Sequence, residues 1–280
     1  MISLDISQQR EFAFSERDFR FLSELVGERT GIVLAEHKLD MVYSRLARRL
    51  RALALSSFAQ YCELVKGPDG EAEIGNLVNA ITTNLTSFFR ESHHFEHLRE
   101  RLAELAAKPP FPKKLRIWSA GCSSGMEPYS IAMTMLEAIP GLHAWDARIL
   151  ATDIDTNMLA TGAQGEYADS ALDHIPPAYA KKYMLAPQDG RVSVSPDLRD
   201  LVAFKRLNLL ESWPMRGIFD VIFCRNVVIY FDKPTQKKLF YRLADKLKPG
   251  GWLYIGHSEN LHAVCDRFRL AGRTIYQRVA

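Results

Sequence analysis

The first residues able to do chemistry follow a strand-like run, Leu115-Arg116-Ile117-Trp118-Ser119. It leads into Ala120-Gly121-Cys122-Ser123-Ser124-Gly125-Met126-Glu127 and then into a helical pattern. Strand, glycine turn and helix in that order is the arrangement of a nucleotide site, because glycine lets the backbone approach a ligand closely. Only two glycines are present rather than the full G-x-G-x-x-G fingerprint, so the same residues would also build an ordinary tight βα turn. A second strand-like run ends in Ala151-Thr152-Asp153-Ile154-Asp155, where Asp153 can accept hydrogen bonds from both hydroxyls of a ribose. Asp155, just before Thr156, suits a helix cap instead. Asp153 lies 32 residues after Gly121, against roughly 20 in the compact dinucleotide fold, which calls for a longer intervening helix and loop. Two further loops, Arg206-Leu207-Asn208-Leu209-Leu210 and Phe223-Cys224-Arg225-Asn226-Val227-Val228-Ile229-Tyr230-Phe231, follow strand-like runs at the same sheet edge. An Arg-Asn pair inside an apolar run is costly unless its polar groups find partners, which points Arg225 and Asn226 at a ligand. Tyr230 by itself reads as a core aromatic with its hydroxyl at the surface.

The elements that must position these residues alternate. Short β-rich runs at Leu115–Ser119, Arg148–Thr152, Val202–Leu207, Phe219–Cys224, Trp252–Gly256 and Thr274–Val279 are interleaved with helical patterns at Glu127–Ala138, Thr156–Ala163 and Thr235–Leu247. That alternation predicts a doubly wound, mostly parallel sheet, which binds ligands at the carboxyl ends of its strands. Between Glu166 and Asp200 the alternation stops. Val192 and Val194 alternate there with serines, as in an edge strand, so residues 166–200 read as a small inserted β-subdomain.

Upstream, from Ser15 to about Thr83, apolar residues recur every three or four positions and Gly27, Gly31 and Gly67-Pro68-Asp69-Gly70 punctuate them, which predicts a helical N-terminal domain. Ser15 with Asp18 three residues on resembles a capping box. In the segment Lys38–Leu53, Leu39, Val42, Tyr43, Leu46, Leu50 and Leu53 form one apolar stripe, and Lys38, Arg45, Arg48 and Arg49 cluster on a neighbouring face. Pro109-Pro110-Phe111-Pro112 marks the change to the β-rich half.

Composition bounds the function. The 280 residues, 47% hydrophobic and 25% charged, suit a globular chain with a sizeable core. No apolar run approaches the ~18 residues of a membrane-spanning helix. The start, Met1-Ile2-Ser3-Leu4-Asp5, lacks a secretory pattern, so a cytoplasmic location is expected. Cys62, Cys122, Cys224 and Cys265 show no C-x-x-C spacing and no histidine cluster stands at zinc-like spacing, so reduced thiols and no structural metal are expected. A net charge of +3 is too small for a general nucleic-acid binder.

Four strings carry a resemblance. Thr82-Thr83-Asn84-Leu85-Thr86-Ser87-Phe88-Phe89-Arg90-Glu91, Glu127-Pro128-Tyr129-Ser130-Ile131-Ala132, Cys224-Arg225-Asn226-Val227-Val228-Ile229-Tyr230-Phe231 and Gly256-His257-Ser258-Glu259-Asn260 occur in this order. Between Phe19 and Gln277 the chain thus resembles the chemotaxis receptor methyltransferases of the CheR family. The resemblance implies a Rossmann-like methyltransferase sheet with a helical domain over residues 1–83, a linker and connecting helix over 84–111, and the methyltransferase domain over 112–280. It implies S-adenosylmethionine as methyl donor and S-adenosylhomocysteine as product, held by residues matching Asn84, Thr86, Arg90, Gly121, Glu127, Asp153, Asn208, Leu209, Arg225 and Asn226. Arg90 and Tyr230 then belong at the reaction centre, and no metal is expected. The implied substrates are glutamates on the cytoplasmic coiled-coil domain of chemoreceptors, with Lys38, Arg45, Arg48 and Arg49 aligning an acidic helix. A monomer with no nucleic acid and no membrane insertion is expected. The stretch from Tyr183 to Val194 is slightly shorter than in members that dock on a receptor's C-terminal pentapeptide, so no such tether is expected.

The implied chemistry suits the residues. A glutamate side chain, with a reference pKa near ~4.3, is already an ionised nucleophile at neutral pH. Methyl transfer to it is an in-line displacement needing no general base, only positioning, which supplies up to ~7–11 kcal/mol in well-aligned systems. A nucleobase target is disfavoured, because the Asp/Asn-Pro-Pro-Tyr-like motif of amine-directed enzymes is replaced here by Cys224-Arg225-Asn226-Val227. A carboxyl methyltransferase for another substrate and a cofactor-binding regulatory module remain as alternatives, and transfer of a labelled methyl group separates the module from an enzyme.

Overall fold

In the computed structural model, residues 10–68, 70–107 and 113–279 are described. The Met1–Asp5 start and the Pro109-Pro110-Phe111-Pro112 segment lie outside them, as does Asp69 of the glycine turn. The chain divides into two compact units, Met1–Thr83 and Asn84–Ala280.

The first unit is helical, with α1 (Glu16–Thr30), α2 (Leu39–Ala52), α3 (Phe58–Lys66) and α4 (Gly70–Ile81). The capping box opens α1. Ser15 Oγ accepts from the Asp18 amide at 3.2 Å, and the Ser15 amide donates to Asp18 Oδ2 at 3.0 Å. Leu22, Val42, Leu46, Leu50, Phe58, Tyr61 and Leu77 form the interior.

The stripe on α2 faces that interior as its spacing predicts, but the basic face does not stand free. Arg49 donates through Nε and Nη2 to both oxygens of buried Glu73, at 2.6 and 2.5 Å. Glu73 also accepts from Tyr61 Oη at 3.0 Å and Asn76 Nδ2 at 3.0 Å. Arg45 donates to the carbonyls of Ile81 and Thr82, at 2.5 and 2.8 Å, and to Thr83 Oγ1. A guanidinium there satisfies orphan carbonyls at the end of α4 and complements its negative pole. Lys38 Nζ approaches the Val33 carbonyl at 3.5 Å, and Arg48 is exposed. The expected cluster of four cations is therefore two structural arginines plus Lys38 and Arg48.

The second unit contains α5 (His93–Ala106), β1 (Lys114–Ala120), α6 (Met126–Ala138), β2 (Asp146–Asp153), α7 (Thr156–Gln164) and β3 (Glu166–Ala168). It continues with α8 (Pro177–Tyr183), β4 (Arg191–Ser193), α9 (Pro196–Leu201), β5 (Val202–Arg206), β6 (Phe219–Cys224), α10 (Lys233–Lys246), β7 (Leu247–Ile255), β8 (Phe268–Gly272) and β9 (Ile275–Arg278). Seven strands form one sheet in the order β5-β2-β1-β6-β7-β9-β8. The five from β5 to β7 are parallel, and β9 runs antiparallel to both β7 and β8. All six strands expected from the sequence are present. β8 was not foreseen, because only Phe268 of its five residues is buried and no alternation shows.

Successive residues of β1 point to opposite faces. Ile117 joins a core with Phe95 and Leu98 of α5 and Ile131 and Met135 of α6, whereas Trp118 joins one with Leu239, Phe240 and Leu243 of α10. From β1 the chain winds outward through β2 to β5, then returns to β6 on the other flank. The strand order reverses between β1 and β6, where a doubly wound sheet opens a crevice. The insertion contributes the two-stranded antiparallel ribbon β3–β4 together with α8.

Candidate active site

The glycine turn after β1 is built from left-handed backbone. Gly121 has φ +85°, Ser123 +48° and Gly125 +88°. At Gly121 a Cβ would lie 2.3 Å from Val227 Cγ2, so any other residue would have to displace Val227 as well as strain the left-handed backbone. The amides of Gly121 and Cys122 both donate to the Thr152 carbonyl, at 2.8 and 2.9 Å, which pins the turn to the end of β2. Beside it, Asp153 is buried and accepts from the Ser123 amide through Oδ2 at 2.7 Å and from the Asp155 amide through Oδ1 at 3.0 Å. Burial pushes its carboxyl above the ordinary range, and those backbone donors only partly offset that. Each carboxylate oxygen accepts two hydrogen bonds, so Asp153 retains acceptor capacity. Asp155 caps α7, accepting from the Asn157 and Met158 amides at 2.9 and 3.2 Å.

Asn84 donates to Asp155 Oδ2 at 2.7 Å, and its carbonyl accepts from Ser123 Oγ at 3.1 Å. The segment beginning at Asn84 is thereby stitched to the ends of β1 and β2. Thr86 lies half-buried in the same segment. Arg90, also half-buried, donates through Nη1 to the Leu85 carbonyl at 2.8 Å and closes the segment into a loop.

Arg225, at the end of β6, is the hub. Its side chain is only 2% exposed, and it donates through Nη1 to Glu127 Oε2 at 2.9 Å. Its Nη2 donates to the Arg90 carbonyl and lies 3.5 Å from Glu91 Oε2. Ser119 Oγ holds the other oxygen of Glu127 at 2.7 Å. A buried guanidinium between two carboxylates leaves the group one negative charge in excess, and removal of Arg225 would strand two buried carboxylates. Arg225 Nε remains buried with no hydrogen-bond partner among the described residues. Glu91 Oε1 accepts from His257 Nδ1 at 2.9 Å and the His257 amide at 3.3 Å. Burial alone would raise the Glu91 carboxyl, but hydrogen bonds from His257 and the charge of Arg225 hold it below the usual range.

The loops after β5 and β6 close the crevice. Buried Asn208 turns its loop by accepting from the Leu210 amide at 3.0 Å, and Leu209 presents its carbonyl to Arg242 Nη1 at 2.6 Å and Trp213 Nε1 at 3.2 Å. Asn226 sits at φ +58°, a left-handed position that asparagine tolerates. Tyr230 ends the short 3-10 turn Val228–Tyr230, half-buried.

What shapes this loop is Glu259, which the sequence reading quoted in a string without assigning a role. It is buried, and it accepts the amides of Asn226 (3.0 Å), Val227 (2.9 Å), Val228 (2.9 Å) and Gly256 (2.5 Å). An acid four residues past the apolar strand end at Ile255 was the available signal. Glu91 was missed in the same way, one position beyond Arg90. The turn, Asp153, Glu127, Arg225 and the Asn84–Glu91 segment are joined by direct hydrogen bonds, whereas Lys38, Arg45, Arg48 and Arg49 belong to the first unit.

Comparison with known proteins agrees with this arrangement. Residues 17–82 match the family model described as CheR methyltransferase, all-alpha domain, and residues 84–277 match CheR methyltransferase, SAM binding domain. The chain is 43% identical over 282 residues to the chemotaxis protein methyltransferase of Salmonella typhimurium, covering 98% of this chain and 94% of that protein. It is 45% identical over 272 residues to chemotaxis protein methyltransferase 2 of Pseudomonas aeruginosa, covering 95% of each. A 42% identity over 285 residues links it to the chemotaxis protein methyltransferase of Escherichia coli, covering 98% and 95%.

Proposed function

Because this chain belongs to the CheR methyltransferase family and is an S-adenosylmethionine-dependent enzyme of chemotaxis, we propose that it methylates glutamate side chains on the cytoplasmic coiled-coil domains of chemoreceptors. The products are glutamyl methyl esters and S-adenosylhomocysteine. The observation that carries this reading is the Arg225 bracket. The ends of the strands at the order reversal hold buried acceptors, one negative charge in excess of the guanidinium, but no activated hydroxyl or thiol among the described residues, as expected if the substrate brings its own nucleophile and the donor is cationic. Of the thiols, Cys122 is buried beside Asp153 and burial raises its pKa well above normal, which leaves it inert.

The donor set suits an S-adenosyl amino acid. Asp153 offers acceptors for ribose hydroxyls. The carboxylates of Glu91, Glu127 and Asp153 favour the ammonium and sulfonium. We assign Asn84, Thr86, Arg90, Gly121, Asn208, Leu209 and Asn226 to the same pocket. S-adenosylmethionine supplies an electrophilic methyl group, and the chain's task is to align a carboxylate oxygen behind it and exclude water. We assign Arg90 to pair with the incoming carboxylate and Tyr230 to line its approach.

The helical region, residues 1–83, is assigned to receptor recognition, with exposed Arg48 and half-buried Lys38 as its cations. Residues 84–111 connect it to the methyltransferase domain, 112–280. No described helix is long and apolar enough to cross a membrane, and the proposed location is the cytoplasm, with the protein acting as a monomer and without a pentapeptide tether. Incubation with labelled S-adenosylmethionine and receptor cytoplasmic domains tests the reading. Base-labile label on glutamate is the expected result, and base-stable label or none overturns it.

A further inference from the structure

We propose that Glu91, His93 and His94, at the start of α5, form a binding site for a transition-metal dication of zinc(II) type. One ring nitrogen from each imidazole and one oxygen of Glu91 lie within 4.8 Å of one another. Hydrogen bonding fixes both tautomers. Thr274 Oγ1 gives its proton to the Arg273 carbonyl at 2.7 Å, so toward His94 Nε2, at 2.9 Å, it can only accept. His94 therefore carries its proton on Nε2 and has a bare lone pair on Nδ1. His93 Nε2 lies 3.1 Å from the Arg273 carbonyl, which also only accepts, so its Nδ1 is bare too.

His94 is fully buried, and its Nδ1 has no hydrogen-bond partner among the described residues. It faces Glu91 Oε2 at 3.7 Å, an oxygen that likewise has none. Two enclosed acceptors thus confront each other with no hydrogen bond between them, the Arg225 guanidinium approaching only to 3.5 Å of the Glu91 oxygen. The gap decides what fits. It is longer than the ~2.7–3.2 Å of a direct hydrogen bond. A bridging water about 2.8 Å from each acceptor, donating at its tetrahedral angle, would hold them roughly 4.4 Å apart. A zinc ion with bonds of about 2.0–2.2 Å holds N and O ligands roughly 3.3 Å apart at the tetrahedral angle, and 3.7 Å at an angle near 125°.

Two imidazoles and a carboxylate favour zinc(II), cobalt(II) or nickel(II) over magnesium or calcium, which prefer all-oxygen sets. The ion would compete with Arg225 Nη2, 3.5 Å from the same oxygen. Methyl transfer needs no metal, so the consequence is antagonism: the ion takes Glu91 from Arg225 and weakens the cofactor pocket. That consequence rests on the function proposed above, but the site itself does not.

Cobalt(II) titration of the full chain, followed by its visible absorption, tests the site independently of methylation. One equivalent should bind with a spectrum of low coordination number, be displaced by zinc(II) and survive excess magnesium. His94→Gln removes a buried ligand and can unfold the unit. The decisive variant is His93→Ala at a half-buried position, which should keep its melting temperature and bind cobalt(II) at least tenfold more weakly. Absence of the band in the wild type overturns the site. Unchanged affinity in His93→Ala does so as well, since it would place the ion on other histidines such as His37 or His262.

Discussion

At the residue scale, the site's polar groups are shared between ligand and scaffold. Asp153 accepts two backbone amides and keeps further acceptor capacity. Asp153→Ala is therefore expected to weaken S-adenosylmethionine binding by about 1.5–3 kcal/mol for a charged hydrogen-bond partner, read by calorimetry. Unchanged affinity would place the ribose elsewhere. Arg225 hydrogen-bonds two acceptors, Glu127 and the Arg90 carbonyl, with a planar fork that lysine cannot copy. Arg225→Lys should keep the charge yet lose either the Glu127 or the Arg90 contact, lowering turnover by tenfold or more. Full activity in that variant would remove the bracket from the mechanism. Arg90→Ala and Tyr230→Phe, at half-buried loop positions, should melt close to wild type and turn over slowly. A fully active Arg90→Ala enzyme would sink its assignment.

At the scale of elements, helix α2 shows how a charge pattern misleads. Spacing alone placed Arg45 and Arg49 beside Arg48, but it could not show that Glu73 of α4 and the carbonyls at that helix's end would be the partners. Arg48→Glu alone is thus the clean test of receptor recognition. It should raise the Michaelis constant for receptor and flatten its salt dependence without lowering the melting temperature. Arg49→Glu should destabilise the first unit and confuse the measurement. Burial would raise the Glu73 carboxyl, but Arg49, Asn76 and Tyr61 together hold it below the ordinary range. The unfolded chain therefore binds the extra proton first as pH falls. The pair's stabilisation is complete above about pH 4.5 and lost as pH drops through the lower folded value. Glu73→Gln should cost about 3 kcal/mol at neutral pH and flatten the acid limb of the melting curve. An acid limb identical to wild type would show that another group controls it. The α/β alternation, the six strands and the glycine turn were legible because periodicity and glycine report local backbone. Glu259, Glu91 and β8 were not, because their roles arise from partners distant in sequence or from a strand face left in water.

For the whole molecule, the Asn84–Glu91 segment matters more than its position beside a boundary suggests. It reaches Asp155 and Ser123 through Asn84 and Arg225 through the Arg90 carbonyl. A chain shortened to begin at Asn84 should still bind S-adenosylmethionine, whereas one beginning at Ser92 should lose most of that affinity. Equal binding by both would show that the segment is dispensable. The same hydrogen bond from Arg225 to Arg90 closes a span of 135 residues, and this bears on how the protein is made. Contacts so remote in sequence form late in folding, after helices and neighbouring strands have found one another. A nascent chain thus emerges with its glycine turn complete but no working pocket, and gains one only when β6 docks beside β1. In refolding experiments, far-ultraviolet ellipticity should recover before cofactor binding does, and simultaneous recovery would mean that the pocket forms with the first strands.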